Sequence, residues 1–392
     1  MRVGIDATCW ANRRGYGRFA REIVTAMARV APEDQFVCFL DPKSAACFEL
    51  QAPNVTQVVV PTKAAPSDAA SASGSRSLAD MLRMSRAVAG EPLDVFFSPS
   101  VYSYFPLPPR LRAIVTIHDA IAERFPLLTL PSRRARLFWR IKTWVAVRQA
   151  RKILAVSSYA AREVSRAHRI PLDRIAIAVE APSPAYRPAR DPATVESAAK
   201  AAGLPAGARW FTYVGGFNPH KNVPAIVRAH ARLSREMGDR APYLLLVGTV
   251  DADVFHGDQP AIKAAIADAR TSSLVRWTGY VDDDRLALLH SGAIALLLLS
   301  ESEGFGLPAV EAAACDTPVV ATLESPLPEL LEGGGFFVRP GDDESLLAAL
   351  RQLATDSRLR ALMGARAGQR ARALSWDRAA EACLAALREV AA

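Results

Sequence analysis

Seven apolar residues in a row, Ala293 to Leu299, are followed at once by a polar, glycine-bearing turn. A run of that length without alternation fits a strand buried on both faces, and parallel sheets covered by helices bury strands that way. Gly304 and Gly306 follow, then Pro308, which suits a helix start because its missing N–H would have no intrahelical partner there. Val310 to Ala314 is strong helix material, ended by Asp316-Thr317-Pro318. The same strand, loop and helix unit recurs along the chain. Strands are expected near 2–8, 36–41, 54–61, 94–98, 112–116, 152–157 and 174–179 in the first half. In the second they are expected near 210–214, 243–247, 274–278, 318–322 and 336–338. Such alternation predicts an α/β protein with largely parallel sheets.

The turn after Leu299 also carries chemistry. A helix N-terminus offers free N–H groups and about half a positive charge. Glycines allow a ligand close to the backbone, so the loop reads as an anion site suited to phosphate. Glu303 on the loop and Glu311 in the helix frame it. Carboxylates repel a bound phosphate unless they accept from neutral hydroxyls. Phosphate and polyol together suggest a sugar nucleotide.

Glu303 and Glu311 have seven residues between them, within the string E-G-F-G-L-P-x-x-E-A. This resembles the E-x7-E signature of glycosyltransferase family 4, retaining enzymes with the GT-B fold. The spacing of Glu301 to Glu311 does not fit. The resemblance implies two Rossmann-like domains whose parallel sheets face a central cleft. It implies hexose transfer from a nucleotide diphosphate sugar, with retention, to a glycan or lipid-linked acceptor. Glu303 is then catalytic, and Gly304, Phe305, Gly306, Leu307 and Glu311 bind the donor.

Other segments extend the likeness. T-I-H-D at 116–119 ends a strand on His118, over the edge where ligands meet open α/β sheets. It is similar to the family motif whose histidine contacts the transferred sugar, with Asp119 expected to orient the ring. The loop 215–222 resembles the family's G-R-x-x-x-x-K-N motif. Lys221 carries over as a diphosphate clamp and catalytic residue, while Gly216, assigned to the donor, stands where an arginine is common and His220 where some members have one. Diphosphate charge is therefore expected partly on Arg13, Arg14 or Arg18. Tyr280 and Val281 match the turn that lines the nucleotide base. Ser325–Glu329 is similar to the family's S-x-x-P-E.

Gly15-Tyr16-Gly17-Arg18-Phe19-Ala20 fits G-x-G-x-x-A, with Asp41 ending the second strand where a ribose-binding acid would sit. The glycines begin well after Thr8, whereas the dinucleotide fingerprint follows its strand immediately. The alternative is the family's N-terminal G-x-G-R loop, in which Gly15, Gly17 and Arg18 touch ligand. A helix is expected from about Phe19 to Val30. Residues 62–77, rich in Ala and Ser, read as a surface loop or as a lid over an acceptor. Asp251-Ala252-Asp253 forms D-x-D, but in a setting foreign to the metal-binding use of that motif.

With 392 residues the chain holds two domains of ordinary size. The N-terminal domain is expected over 1–185, a proline-marked linker over 186–208, the donor domain over 209–375, and a helix at 376–392 crossing back to the first domain. Five scattered cysteines lack metal-ligand spacing and read as reduced, which fits a cytoplasmic protein. No apolar run reaches the roughly 20 residues of a membrane span. No metal or cofactor is expected beyond the donor substrate. The net charge of +8 favours phosphorylated ligands or anionic surfaces, and no nucleic-acid motif accompanies it. The basic helix at 132–151 reads either as a core helix with a solvated arginine face or as a peripheral contact with the inner face of a membrane. Two rival readings are a non-catalytic nucleotide-sugar sensor and a dehydrogenase built on the Gly15 loop.

Overall fold

The computed structural model describes residues 1–12, 15–63, 77–130, 132–249 and 257–392. They gather into two compact units, Met1–Glu180 with Ser375–Ala392, and Ala181–Leu374. Arg13 and Arg14, most of the 62–77 loop and the D-x-D aspartates lie outside the described residues.

Among the described residues the first unit has a seven-stranded sheet with the order β3-β2-β1-β4-β5-β6-β7. The strands are β1 (Arg2–Asp6), β2 (Gln35–Leu40), β3 (Val55–Val59), β4 (Val95–Ser98), β5 (Ala113–Thr116), β6 (Lys152–Ala155) and β7 (Ile175–Ile177). Every pairing is parallel, and Val3 lies opposite both Phe36 and Val95. Strand order reverses between β1 and β4, so a crevice opens at their carboxyl ends, where such sheets bind ligands. Val37, Phe39, Phe96, Phe105 and Met84 are packed together without solvent contact. The helix Gly15–Val30 buries Phe19, Ile23 and Met27 at helical spacing, and the helix Trp376–Ala391 packs beside it. This first helix starts four residues earlier than its apolar pattern indicates, because Gly15 to Arg18 form its opening turn despite two glycines.

The second unit has a six-stranded sheet among the described residues, ordered β10-β9-β8-β11-β12-β13. Its strands are β8 (Trp210–Val214), β9 (Tyr243–Val247), β10 (Val275–Gly279), β11 (Leu296–Leu298), β12 (Val319–Thr322) and β13 (Gly335–Val338). All pairings are parallel, and order reverses between β8 and β11. Phe211, Tyr213, Leu244, Leu246 and Leu297 form its dry centre. The span 186–208, expected as a linker, contains the helix Pro192–Ala201, capped by Asp191. Tyr186 donates to Asp283 at 2.8 Å and the Ala189 N–H to Ser291 at 3.0 Å. Prolines there remove backbone donors, and side-chain bonds hold the segment onto the second unit instead. Among the described residues, no helix is long and apolar enough to cross a membrane.

Candidate active site

In the second unit the loops after β8 and β11 meet at the switch point. The first contains the short turn Pro219–Lys221 and Asn222 in the left-handed region, and then enters the helix Val223–Met237. Tyr213 donates its hydroxyl to the Gly216 carbonyl, fixing the loop's start. Gly248, at the end of β9, cannot carry a side chain, since a Cβ would stand 2.3 Å from the Gly215 carbonyl oxygen. The two loops are stapled by the Glu301 N–H donating to His220 O at 2.8 Å. Lys221 then reaches Glu303, with Nζ donating to Oε1 at 2.7 Å, and the Ser300 hydroxyl donates to the same oxygen. Both bonds fall on Oε1, and among the described residues Oε2 of Glu303 accepts from no protein donor.

Gly306 sits at φ +86°, a conformation that favours glycine, and a Cβ there would press on Leu327 at 2.8 Å. From it starts the helix Leu307–Ala314, with Pro308 in its first turn and no side-chain cap. The N–H groups of Ala309 and Val310 turn back to the Gly306 carbonyl. Among the described residues, the N–H groups of Phe305, Gly306 and Leu307 meet no acceptor. Buried donors are nearly always satisfied, so three in succession at a helix start are a concentrated set of donors suited to an anion. The side chains of Phe305 and Leu307 are buried in the unit. Glu311 is buried within the helix. Tyr280 is exposed just beyond β10, with Val281 half-covered beside it.

In the first unit the loops after β1 and β4 are joined by Asp6, which accepts from the Thr8 hydroxyl at 2.7 Å and the Ser103 hydroxyl at 2.8 Å. Arg21 donates to the carbonyls of Trp10 and Asn12 at 2.6 and 2.7 Å and sets the path into the glycine turn. The two glycines differ. A Cβ on Gly15 would meet nothing within 4 Å, whereas one on Gly17 would stand 2.0 Å from Asn12 O. Gly15 is therefore open to a ligand, and Gly17 is a packing requirement. Asp41, the ribose-binding acid of the dinucleotide reading, caps the helix Pro42–Ala45 by accepting from Lys43 N and Ser44 N.

His118 lies two residues beyond β5, packed edge-on against Phe19 at 4.9 Å. Its Nε2 is 2.9 Å from Pro99 O, an atom that only accepts, so Nε2 carries a proton. Its Nδ1 faces Glu180 Oε1 at 3.5 Å. Asp119, expected to orient this ring, accepts from the Ile121 N–H at 2.9 Å. The carboxylate facing Nδ1 belongs to Glu180, which stands past β7 with its side chain buried. Sequence reasoning missed Glu180 and Ser300, because Glu180 lies three residues past β7 and nothing near it in the chain marks it as the partner of His118.

Residues 195–370 match the family described as glycosyl transferases group 1, and residues 13–178 match glycosyltransferase family 4. The O-antigen chain mannosyltransferase B of Escherichia coli is 30% identical over 285 residues, covering 72% of this chain and 71% of that one. Sucrose-phosphate synthase from Thermosynechococcus elongatus has a similar fold, with TM-score 0.77 at 19% identity over 99% of this chain and 98% of that one. Anabaena HepE, solved with UDP and glucose, gives TM-score 0.74 at 16% identity over 99% of both chains.

Proposed function

The chain belongs to glycosyltransferase family 4 and has the GT-B fold, and from that premise we propose how it moves a hexose from a nucleotide diphosphate sugar. The single observation carrying the reading is the row of unpaired N–H groups at Phe305, Gly306 and Leu307, in the loop that also bears Glu303, the partner of Lys221. The donor's diphosphate sits on those N–H groups, with the Lys221 ammonium as counter-charge. As the bond from the anomeric carbon to the diphosphate oxygen breaks, charge grows on the leaving group where these donors point. One such preorganised donor contributes about 3 kcal/mol to a transition state. Oε2 of Glu303 accepts from a sugar hydroxyl, Glu311 from a hydroxyl of the nucleotide, and the base lies by Tyr280 and Val281.

The acceptor hydroxyl attacks the anomeric carbon on the face the leaving group departs from. Its proton passes to the departing phosphate oxygen, and the configuration is retained. No protein nucleophile and no metal enter this scheme. Gly15 and His118 serve the acceptor and the transferred sugar. The acceptor is a glycan or a lipid-linked glycan of a polysaccharide pathway, met at the inner face of a membrane. The mannosyltransferase relative in Escherichia coli supports a mannose donor.

A thermal-shift screen against nucleoside diphosphates and their sugars identifies the donor, and turnover of that donor is then compared between variants. Lys221→Ala and Glu303→Gln are expected to lower transfer roughly 100-fold or more while melting stays close to that of the parent. Full transfer by both variants would refute this site.

A further inference from the structure

The helix Arg133–Gln149 is built the wrong way round for a core helix. Its buried positions are the small Thr143 and Ala146. Its large apolar residues point outward, with Leu137 58%, Phe138 46%, Ile141 54% and Trp144 58% exposed. At 100° per residue these four fall on one stripe, with Arg134 and Arg148 on the same stripe at its two ends. Arg133 and Arg140 flank it, and the helix contains no Asp or Glu. Among the described residues, Arg133, Arg134 and Arg140 have no carboxylate partner. Arg148 lies over the Trp144 ring at 5.0 Å.

The inward side is firmly fixed. Trp139 donates its indole N–H to Glu123 at 2.7 Å and packs on Tyr102, and Lys142 donates to the Tyr102 carbonyl. Arg174 binds the carbonyls of Val147 and Ala150 at the helix's far end. A rigid helix thus holds an apolar stripe framed by guanidinium groups away from its own unit.

We propose that this face docks the protein on a bilayer of anionic phospholipid, with Leu137, Phe138, Ile141 and Trp144 entering the acyl boundary and the arginines holding lipid phosphates. Charge complementarity selects this occupant. Guanidinium groups pair with phosphate bidentately, indole rings settle at headgroup depth, and no acid on the helix repels the surface. The inference deepens the reading of a lipid-linked acceptor, since the rings of Trp139, Tyr102 and Tyr16 contact one another in sequence from this helix to the turn that holds Gly15.

The test is co-sedimentation of the full chain, without donor or acceptor, with vesicles of phosphatidylcholine alone or mixed with phosphatidylglycerol. Binding to the mixed vesicles is expected, weakening as salt is raised. The paired change Arg134→Gln with Arg140→Gln should weaken it at least roughly tenfold, at about fivefold per surface arginine. Trp144→Ser should weaken it by a similar factor. These positions are exposed, so melting temperatures should match the parent, and a variant that melts early is replaced by Ile141→Ser. Three outcomes overturn the proposal. They are no binding to anionic vesicles at low salt, binding indifferent to all these variants, or a dimer in sedimentation velocity that Trp144→Ser dissolves. Donor turnover on a soluble acceptor is measured separately, so loss of vesicle binding with turnover intact sinks the docking face and leaves the transferase reading standing.

Discussion

His118 shows how far a single side chain constrains its neighbours. With Nε2 committed to the Pro99 carbonyl, the ring turns Nδ1 toward the buried Glu180 carboxylate. Glu180 is therefore a positioning residue for the ring. Glu180→Gln is expected to lower kcat about tenfold to a hundredfold and leave the donor's Kd unchanged. An unchanged kcat would reduce Glu180 to packing. His118, Lys221, Glu303 and the glycines stood out in the sequence because each sits just past a strand end, at a place that can be counted from the hydrophobic runs. Glu180 and the inward orientation of Phe305 and Leu307 did not, because pairing across strands far apart in the chain leaves no local signal. The contrast between Gly15 and Gly17 is of the same kind. Both read as ligand-facing glycines, and only the approach of Asn12 O separates them.

At the level of elements, strand positions were legible because parallel strands buried on both faces are near-continuous apolar runs, as in β8 and β11. Helix starts were less so. The Gly15–Val30 helix opens on two glycines, which intrinsic preference disfavours, because Arg21 and the loop from Trp10 to Asn12 fix that turn from outside. The Arg133–Gln149 helix leans on a carboxylate with its own pH response. Burial pushes Glu123 up to about 7, with Asp119 adding to the rise and the Trp139 indole N–H opposing it. His168, whose value burial lowers, stands 3.5 Å away. A carboxyl raised in the folded state holds its proton there when the unfolded chain has lost it. This contribution to stability is therefore present at low pH and is lost as pH rises from about 4.5 through about 7. Glu123→Gln keeps the acceptor for Trp139 and removes the titration. In thermal melts the parent should lose stability relative to this variant as pH rises from about 5 to about 8. Parallel curves would show that Glu123 does not titrate in this range.

On the scale of the whole molecule, the chain is two α/β units, the first of them discontinuous. Trp376 to Ala391 returns to cover Phe19 on the Gly15–Val30 helix, with Cys383, Leu384 and Leu387 buried. The two-unit plan was readable from the restart of the strand and helix alternation at Trp210. The boundary was not, because the proline-rich segment after Glu180 is bound to the second unit by Tyr186 and Ala189 and so does not behave as the linker its composition suggests. Membership of family 4 makes the chain a glycosyltransferase, and the account of its chemistry rests on where the donor's diphosphate is held. The most direct measurement is a crystal structure of the full chain with the nucleoside diphosphate that gives the largest thermal shift. The account predicts both phosphates on the backbone N–H groups of Phe305, Gly306 and Leu307, with the Lys221 ammonium in contact. A well-ordered diphosphate seated elsewhere, with those three N–H groups untouched, would contradict it.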